Sequence, residues 1–194
     1  MQLILLNGST IRLEPLTLAH LPGLVAIGLE PELWRWTLNK ISDAEQMRAY
    51  VETALREQAH GSSLPFATIH QPTGQVIGST RFGNISLENK RVEIGWTWIA
   101  PAWQRTAVNT EAKLLMLTYA FETGDCARVE LKTNALNSKS RNAMLRLGCV
   151  EEGILRQHAI ADDGTTRDTV YYSVLRAEWP TMKERLLARL AHGA

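Results

Sequence analysis

The strongest constraint on this fold is a helix with almost no polar face. Residues 110–122 carry Ala112, Leu114, Leu115, Met116, Leu117, Tyr119, Ala120 and Phe121. A helix apolar nearly all round belongs inside a molecule, so the rest of the chain must supply layers that cover it. Just before it, residues 91–99 (RVEIGWTWI) form the clearest strand. Strict alternation puts Val92, Ile94, Trp96 and Trp98 on one face, with Glu93, Gly95, Thr97 and Ile99 on the other. Pro101 closes that strand, and a polar loop over 104–109 leads into the helix.

Other periodicities supply the remaining layers. Residues 11–15 alternate like a strand, and 16–29 read as a short helical region. Ser42 or Asp43 caps a helix whose Met47, Tyr50, Val51, Ala54 and Leu55 share one face. Strands follow at 64–70 and 75–82, separated by the turn signal Gln71-Pro72-Thr73-Gly74. Beyond the apolar helix come a strand at 127–131 and a helix at 138–147 that Gly148 ends. Strands at 150–160 and 166–175, joined by Asp162-Asp163-Gly164, make a hairpin. Trp179, Met182, Leu186 and Leu190 mark a last amphipathic helix. No repeat or linker interrupts the sequence, so residues 1–194 are expected to form a single domain. The element order predicts an α+β (α/β three-layer) domain with one mixed, mostly antiparallel sheet flanked by helices.

Composition excludes several functions. With 45% hydrophobic residues and a formal net charge of +1, the chain can bury a core and has no global attraction for nucleic acid. No stretch approaches the roughly 18 apolar residues of a membrane span. The apolar start, residues 1–6, lacks a basic segment and is too short for a signal peptide. Cys126 and Cys149 have no metal-ligand spacing and read as free thiols. The expectation is a soluble cytoplasmic protein with no metal, membrane or nucleic-acid partner.

Two segments carry chemistry. A strand, a polar loop and a helix start at 91–110 make an anion site, because unpaired N–H groups and the helix dipole both favour phosphate. Arg105 would add charge there, and Thr106, Asn109 and Thr110 would add donors; an ordinary capped helix accounts for the same residues. The second segment, Asn134 to Ser140, either caps the next helix through Asn137 or Ser138, or offers amide groups to a ligand, or both.

Taken in order, VEIGWTWIAPAWQRTAVNTEA (92–112) and RVELKTNALNSKSRNAMLRLGC (128–149), with residues 11–16 and 152–156, resemble the GNAT N-acetyltransferase superfamily. The likeness is closer to its Rim-type branch, which acetylates protein N-termini and assorted small amines. It implies a GNAT-like acyl-CoA N-acyltransferase fold in which strand 91–99 splays from strand 127–132, admitting the pantetheine arm of acetyl-CoA. Ile99, Gln104, Arg105, Thr106, Ala107, Val108, Asn109 and Thr110 would then bind the cofactor, and Asn137 and Ser140 its pantetheine or thioester end. The family loop usually reads Arg/Gln-x-x-Gly-x-Gly/Ala. Here it is Gln104-x-x-Ala107-x-Asn109, with Arg105 where glycine is frequent. A glycine lets backbone approach a phosphate without a Cβ in the way.

The implied reaction is direct attack of an amine on the thioester in a ternary complex. Glu93 is the candidate base; a salt-bridged or solvated strand glutamate is the alternative. Many relatives use a tyrosine as acid where this chain has Met144, which cannot donate a proton. Ser140, Tyr171 or Tyr172 would take that role. Trp34, Trp36 and Arg81 are candidates for the acceptor site, against readings as core residues and a surface salt bridge. His158 is an alternative base or a structural histidine, and Trp96, Trp98, Trp103 and Trp179 read as packing. The acceptor is a small-molecule amine or a peptide or protein N-terminus, and homodimerisation is a family-level expectation. The competing class is a non-catalytic module that senses acyl-CoA.

Overall fold

In the computed structural model, which describes residues 2–192, one eight-stranded sheet has the order β1-β2-β3-β4-β5-β6-β8-β7. Strands β1 (Leu6–Asn7), β2 (Ile11–Pro15), β3 (Leu64–His70), β4 (Val76–Ser86) and β5 (Arg91–Ile99) form an antiparallel meander. β6 (Arg128–Asn134) joins β5 in parallel, and β8 (Thr166–Leu175) and β7 (Val150–Ile160) close the far side as an antiparallel hairpin.

Two apolar cores lie on opposite faces. One face carries α1 (Leu21–Gly28), α2 (Pro31–Trp34) and α3 (Ala44–Ala59), whose Leu24, Trp34, Met47, Val51 and Ala54 pack on Ala67, Ile69 and Trp98. The other carries α4 (Val108–Thr118), α5 (Ser138–Leu147) and α6 (Trp179–Ala191), with Met116, Leu117, Met144 and Met182 over Phe66, Val92, Val129 and Tyr172. This is the three-layer arrangement the apolar helix demanded.

α4 begins two residues earlier than its sequence pattern indicates and passes at Tyr119 into a π turn that runs to Thr123. Val108, Asn109 and Thr110 therefore belong to its first turn. Asp43 is the N-cap of α3, its carboxylate accepting from the Gln46 N–H at 2.8 Å. Gly148 ends α5 in the left-handed region with φ 103°, which glycine reaches without a Cβ penalty.

The strict alternation expected for β5 fails in its middle. Ser79 pairs with Trp98, whereas Arg81 pairs with Gly95, so two steps on β4 face three on β5. The extra residue is a bulge with Trp96 at φ 50°. Past it the faces exchange. Val92 and Ile94 join Ile99 against the α4 core, while Trp96 and Trp98 lie with Glu93 on the α1–α3 side. Trp96 does not share a face with Val92.

Candidate active site

The central feature is a gap between two neighbouring strands. β5 and β6 pair only at Arg91–Arg128, Val92–Val129 and Glu93–Glu130, leaving the last six residues of β5 without a β6 partner. β5 bends away at the bulge because its far end stays bound to β4, where Ala100 N–H donates to Ile77 O at 2.9 Å. Alternation then turns the polar groups of Ile99 away from β4, towards the gap. The Gln104 amide reaches back to Ile99 O at 2.8 Å, and its other end accepts from the Lys139 ammonium on α5. One side chain thus spans the mouth of the gap. Sequence reasoning did not single out Lys139; its only signal was a basic residue in the first turn of α5.

Beyond Gln104 the loop turns sharply, with Arg105 in the left-handed region at φ 62°. This is the strained position where the family's glycine is frequent. Ala107 is right-handed at φ −62°, so neither it nor helical Asn109 needs left-handed geometry. The N-cap of α4, Ala107, has no side chain to satisfy the helix start. Among the described residues, the N–H groups of Arg105, Thr106, Ala107, Asn109 and Thr110 have no backbone or side-chain acceptor, and Val108 N–H has only a 3.3 Å contact to Thr106 Oγ1. Five orphan donors around one helix start, with Arg105 and Thr106 exposed beside them, fit a pyrophosphate. On the other side of the gap, Asn137 is the N-cap of α5, and its side chain accepts from Ser140 N–H at 3.0 Å. Ser140 is therefore the capped residue, and its half-buried hydroxyl is not used as a cap.

Glu93 is buried at the base of the gap, at 3% exposure, so the solvated alternative is excluded. Its Oε2 accepts from Lys132 Nζ at 2.9 Å and Asn84 Nδ2 at 2.6 Å. Gly95 makes room for the other oxygen: a Cβ there would lie 2.8 Å from Glu93 Oε1. Lys132 also stands over the rings of Trp96 and Tyr171 at 5.9 and 5.7 Å. Tyr171 packs edge-on with exposed His158, placing that histidine on the outer hairpin.

The acceptor-side candidates separate. Trp34 is core: it is buried against Tyr50 and Trp98 and its indole donates to Gly28 O at 2.6 Å. Trp36 is half-buried, with Arg35 stacked on it at 4.8 Å. Arg81 is not on the surface. Its buried guanidinium lies 4.9 Å from the ring centres of both Tyr50 and Trp96 and pairs with Glu57 at 2.9 Å. Tyr172 is fully buried, its hydroxyl donating to Glu151 at 2.7 Å, and burial first, then Glu151, hold its pKa above the usual tyrosine value.

The GNAT acetyltransferase domain family matches residues 10–150, and this chain belongs to that family. A GCN5-related N-acetyltransferase from Brucella melitensis superposes with a TM-score of 0.91 at 30% identity, covering 98% of this chain and 86% of that one. "Putative ribosomal N-acetyltransferase YdaF" from Bacillus subtilis (strain 168) is 36% identical over 106 residues, 55% of this chain and 57% of that protein. The match thus spans little more than half of that relative. The ribosomal-protein-serine acetyltransferase of Escherichia coli (strain K12) is 25% identical over 104 residues, 54% of this chain and 58% of that protein. These relatives support the Rim-type branch within the family.

Proposed function

We propose that this chain is an acyl-CoA-dependent N-acetyltransferase that transfers an acetyl group from acetyl-CoA to a primary amine, with a protein N-terminus as the favoured acceptor. The observation that carries the reading is the opening of β5 from β6 after Glu93 and Glu130, leading to a helix start with five unpartnered N–H groups. Bound there, the thioester supplies an activated acetyl carbon and a sulfur leaving group. Residues 104–110 would hold its pyrophosphate, and Ile99, Asn137 and Ser140 its pantetheine arm.

An α-amine, with a pKa near ~7.8, sheds its proton far more readily at neutral pH than a lysine near ~10.4. A buried carboxylate is then a sufficient base. Lys132 and Asn84 hold Glu93 Oε2, and Oε1 takes the proton directly or through water. The names of the B. subtilis and E. coli relatives favour a ribosomal-protein N-terminus over a small amine. The same reading includes a homodimer, with β7 as its contact. A non-catalytic acyl-CoA sensor is the second reading, favoured by Met144, which has no proton to give where many relatives have a tyrosine.

Calorimetric titration with acetyl-CoA and a dephospho analogue is the first test, followed by acetylation of peptides with free N-termini. Micromolar binding is expected. The Glu93→Gln variant should retain that affinity and lose about 10²-fold or more in turnover, the usual contribution of a positioned base. No binding at millimolar ligand overturns the proposal. Tight binding with no turnover on any amine, and no effect of Glu93→Gln, leaves the sensor.

A further inference from the structure

Among the described residues, three guanidinium groups have a buried Nε with no hydrogen-bond partner: Arg81, Arg91 and Arg167. Arg81 and Arg91 pair through their other nitrogens with Glu57 and Glu130, at 2.9 and 3.3 Å. The buried ammonium of Lys113 on α4 likewise meets Thr97 Oγ1 at 2.9 Å. Arg167, half-buried on β8, enters no ion pair and no side-chain hydrogen bond among the described residues. The carboxylates nearest it in sequence are committed elsewhere. Asp168 accepts from the Gln157 N–H at 2.6 Å, Asp163 from the Thr165 hydroxyl at 2.6 Å, and Asp162 from the Lys40 N–H at 3.1 Å. A partly desolvated cation without a counter-ion is costly, and a carboxylate is the group a planar guanidinium fork binds best.

Register puts Arg167 on the same side of the gap as Glu93. Val170, Tyr172 and Val174 of β8 belong to the core under α4, α5 and α6, so alternation turns Arg167, Thr169 and Tyr171 to the other face. Tyr171 pairs with Lys132 on β6, whose ammonium stands over its ring while holding Glu93. Thr169 pairs with Asn134, the last residue of β6, so Arg167 lies just past the end of that strand. Thr169 is 1% exposed and its Oγ1 also has no partner, which leaves two unmet polar groups at successive positions of one strand face. The β7–β8 hairpin tip is tied across to the segment before α3, with Asp162 N–H donating to Leu38 O at 2.9 Å, and this tie walls that end of the face. Burial holds the Arg167 pKa below the usual arginine value, while the Glu93 carboxylate, then Tyr171, act the other way.

We infer that Arg167 binds a carboxylate of the acceptor, so that the enzyme favours N-termini with an aspartate or glutamate as the second or third residue. The inference rests on the N-acetyltransferase reading above. Along β8, Arg167 lies about 13 Å from Tyr171 at ~3.3 Å per residue, and its own side chain covers part of that span. With the α-amine at Glu93, an extended peptide brings the side chain of its second or third residue to the guanidinium. The bidentate fork then sets the direction of the peptide and holds its amine at Glu93.

The test compares peptides with free N-termini that differ only in Glu against Gln at the second or the third residue, by initial rates at saturating acetyl-CoA. On the wild type, a Glu peptide should have a KM about tenfold below that of its Gln partner at similar kcat, the worth of one charge-assisted hydrogen bond. Arg167→Gln should treat the pair alike, and Arg167→Glu should prefer a peptide with Lys at that position. Acetyl-CoA titration of both variants, expected to match the wild type, shows that they fold. Equal KM values for the Glu and Gln peptides on the wild type, or a preference that survives Arg167→Gln, overturn the role of Arg167 and leave the acetyltransferase standing. Acetyl-CoA binding without acetylation of any peptide overturns the peptide-acceptor reading and this inference with it.

Discussion

Lys113 and Cys149 make opposite demands on stability as pH rises. For Lys113 the folded-state pKa, about 8, lies below the ordinary 10.5, so between these values the unfolded chain binds more protons and stability rises with pH. The full difference is about 3 kcal/mol at 1.36 kcal/mol per pKa unit. For Cys149 the folded value, about 12, lies above the ordinary 9.0, so stability falls from pH 9 upward. Between pH 8 and 9 the Lys113 effect is the larger of the two. Urea unfolding should therefore show Lys113→Met more stable than the wild type by about 3 kcal/mol at pH 7, with the advantage shrinking as pH passes 8. A constant difference across that range contradicts the buried cation. In the sequence Lys113 is one of several polar residues of α4, with Asn109, Thr110, Glu111 and Thr118, and helical periodicity cannot say what lies opposite it. Arg81 shows the same limit: the sequence marks an arginine, but only the packed rings of Tyr50 and Trp96 make it an interior residue.

Elements were legible where their signals are local. The span of α5, the left-handed Gly148 and the 162–164 hairpin turn match their sequence signals, because caps and turns depend on a few adjacent residues. β5 was legible as a strand but not in its facing, since its bulge comes from register against β4. β7 is an element whose sequence does not match its surroundings. It is the outer strand of the sheet and is exposed along almost its whole length, with Val150, Ile154 and Leu155 each more than 45% exposed and Ile160 at 72%. Apolar side chains on an open edge strand favour association. Sedimentation velocity should give a dimer at micromolar concentration, and Ile154→Lys with Leu155→Glu should return it to monomer. A wild-type monomer at ~100 μM overturns the dimer.

At the scale of the whole molecule, the loop at the helix start is held in place from far away in sequence. Buried Glu111 on α4 accepts from the N–H groups of Ser9, Thr10 and Ile11 at 2.5, 3.0 and 3.0 Å and from the Ser9 hydroxyl at 2.7 Å. It ties the β1–β2 turn to the first turn of α4, and a Cβ on Gly8 would lie 2.5 Å from its carboxylate. Glu111→Ala leaves three backbone donors without that acceptor and should cost roughly 3 kcal/mol or more, read by urea unfolding. A loss below ~1 kcal/mol would mean that water replaces the carboxylate. The sequence by itself determined the layers, the mixed sheet and the family, because apolar periodicity, turn residues and motif order are carried by neighbouring positions. Tertiary structure decided which side chains meet: Glu93 with Lys132, Gln104 with Lys139, Glu111 with the β1–β2 turn, Lys113 with Thr97. Those partners lie tens of residues apart, and their approach is set by register and packing, which no local pattern encodes.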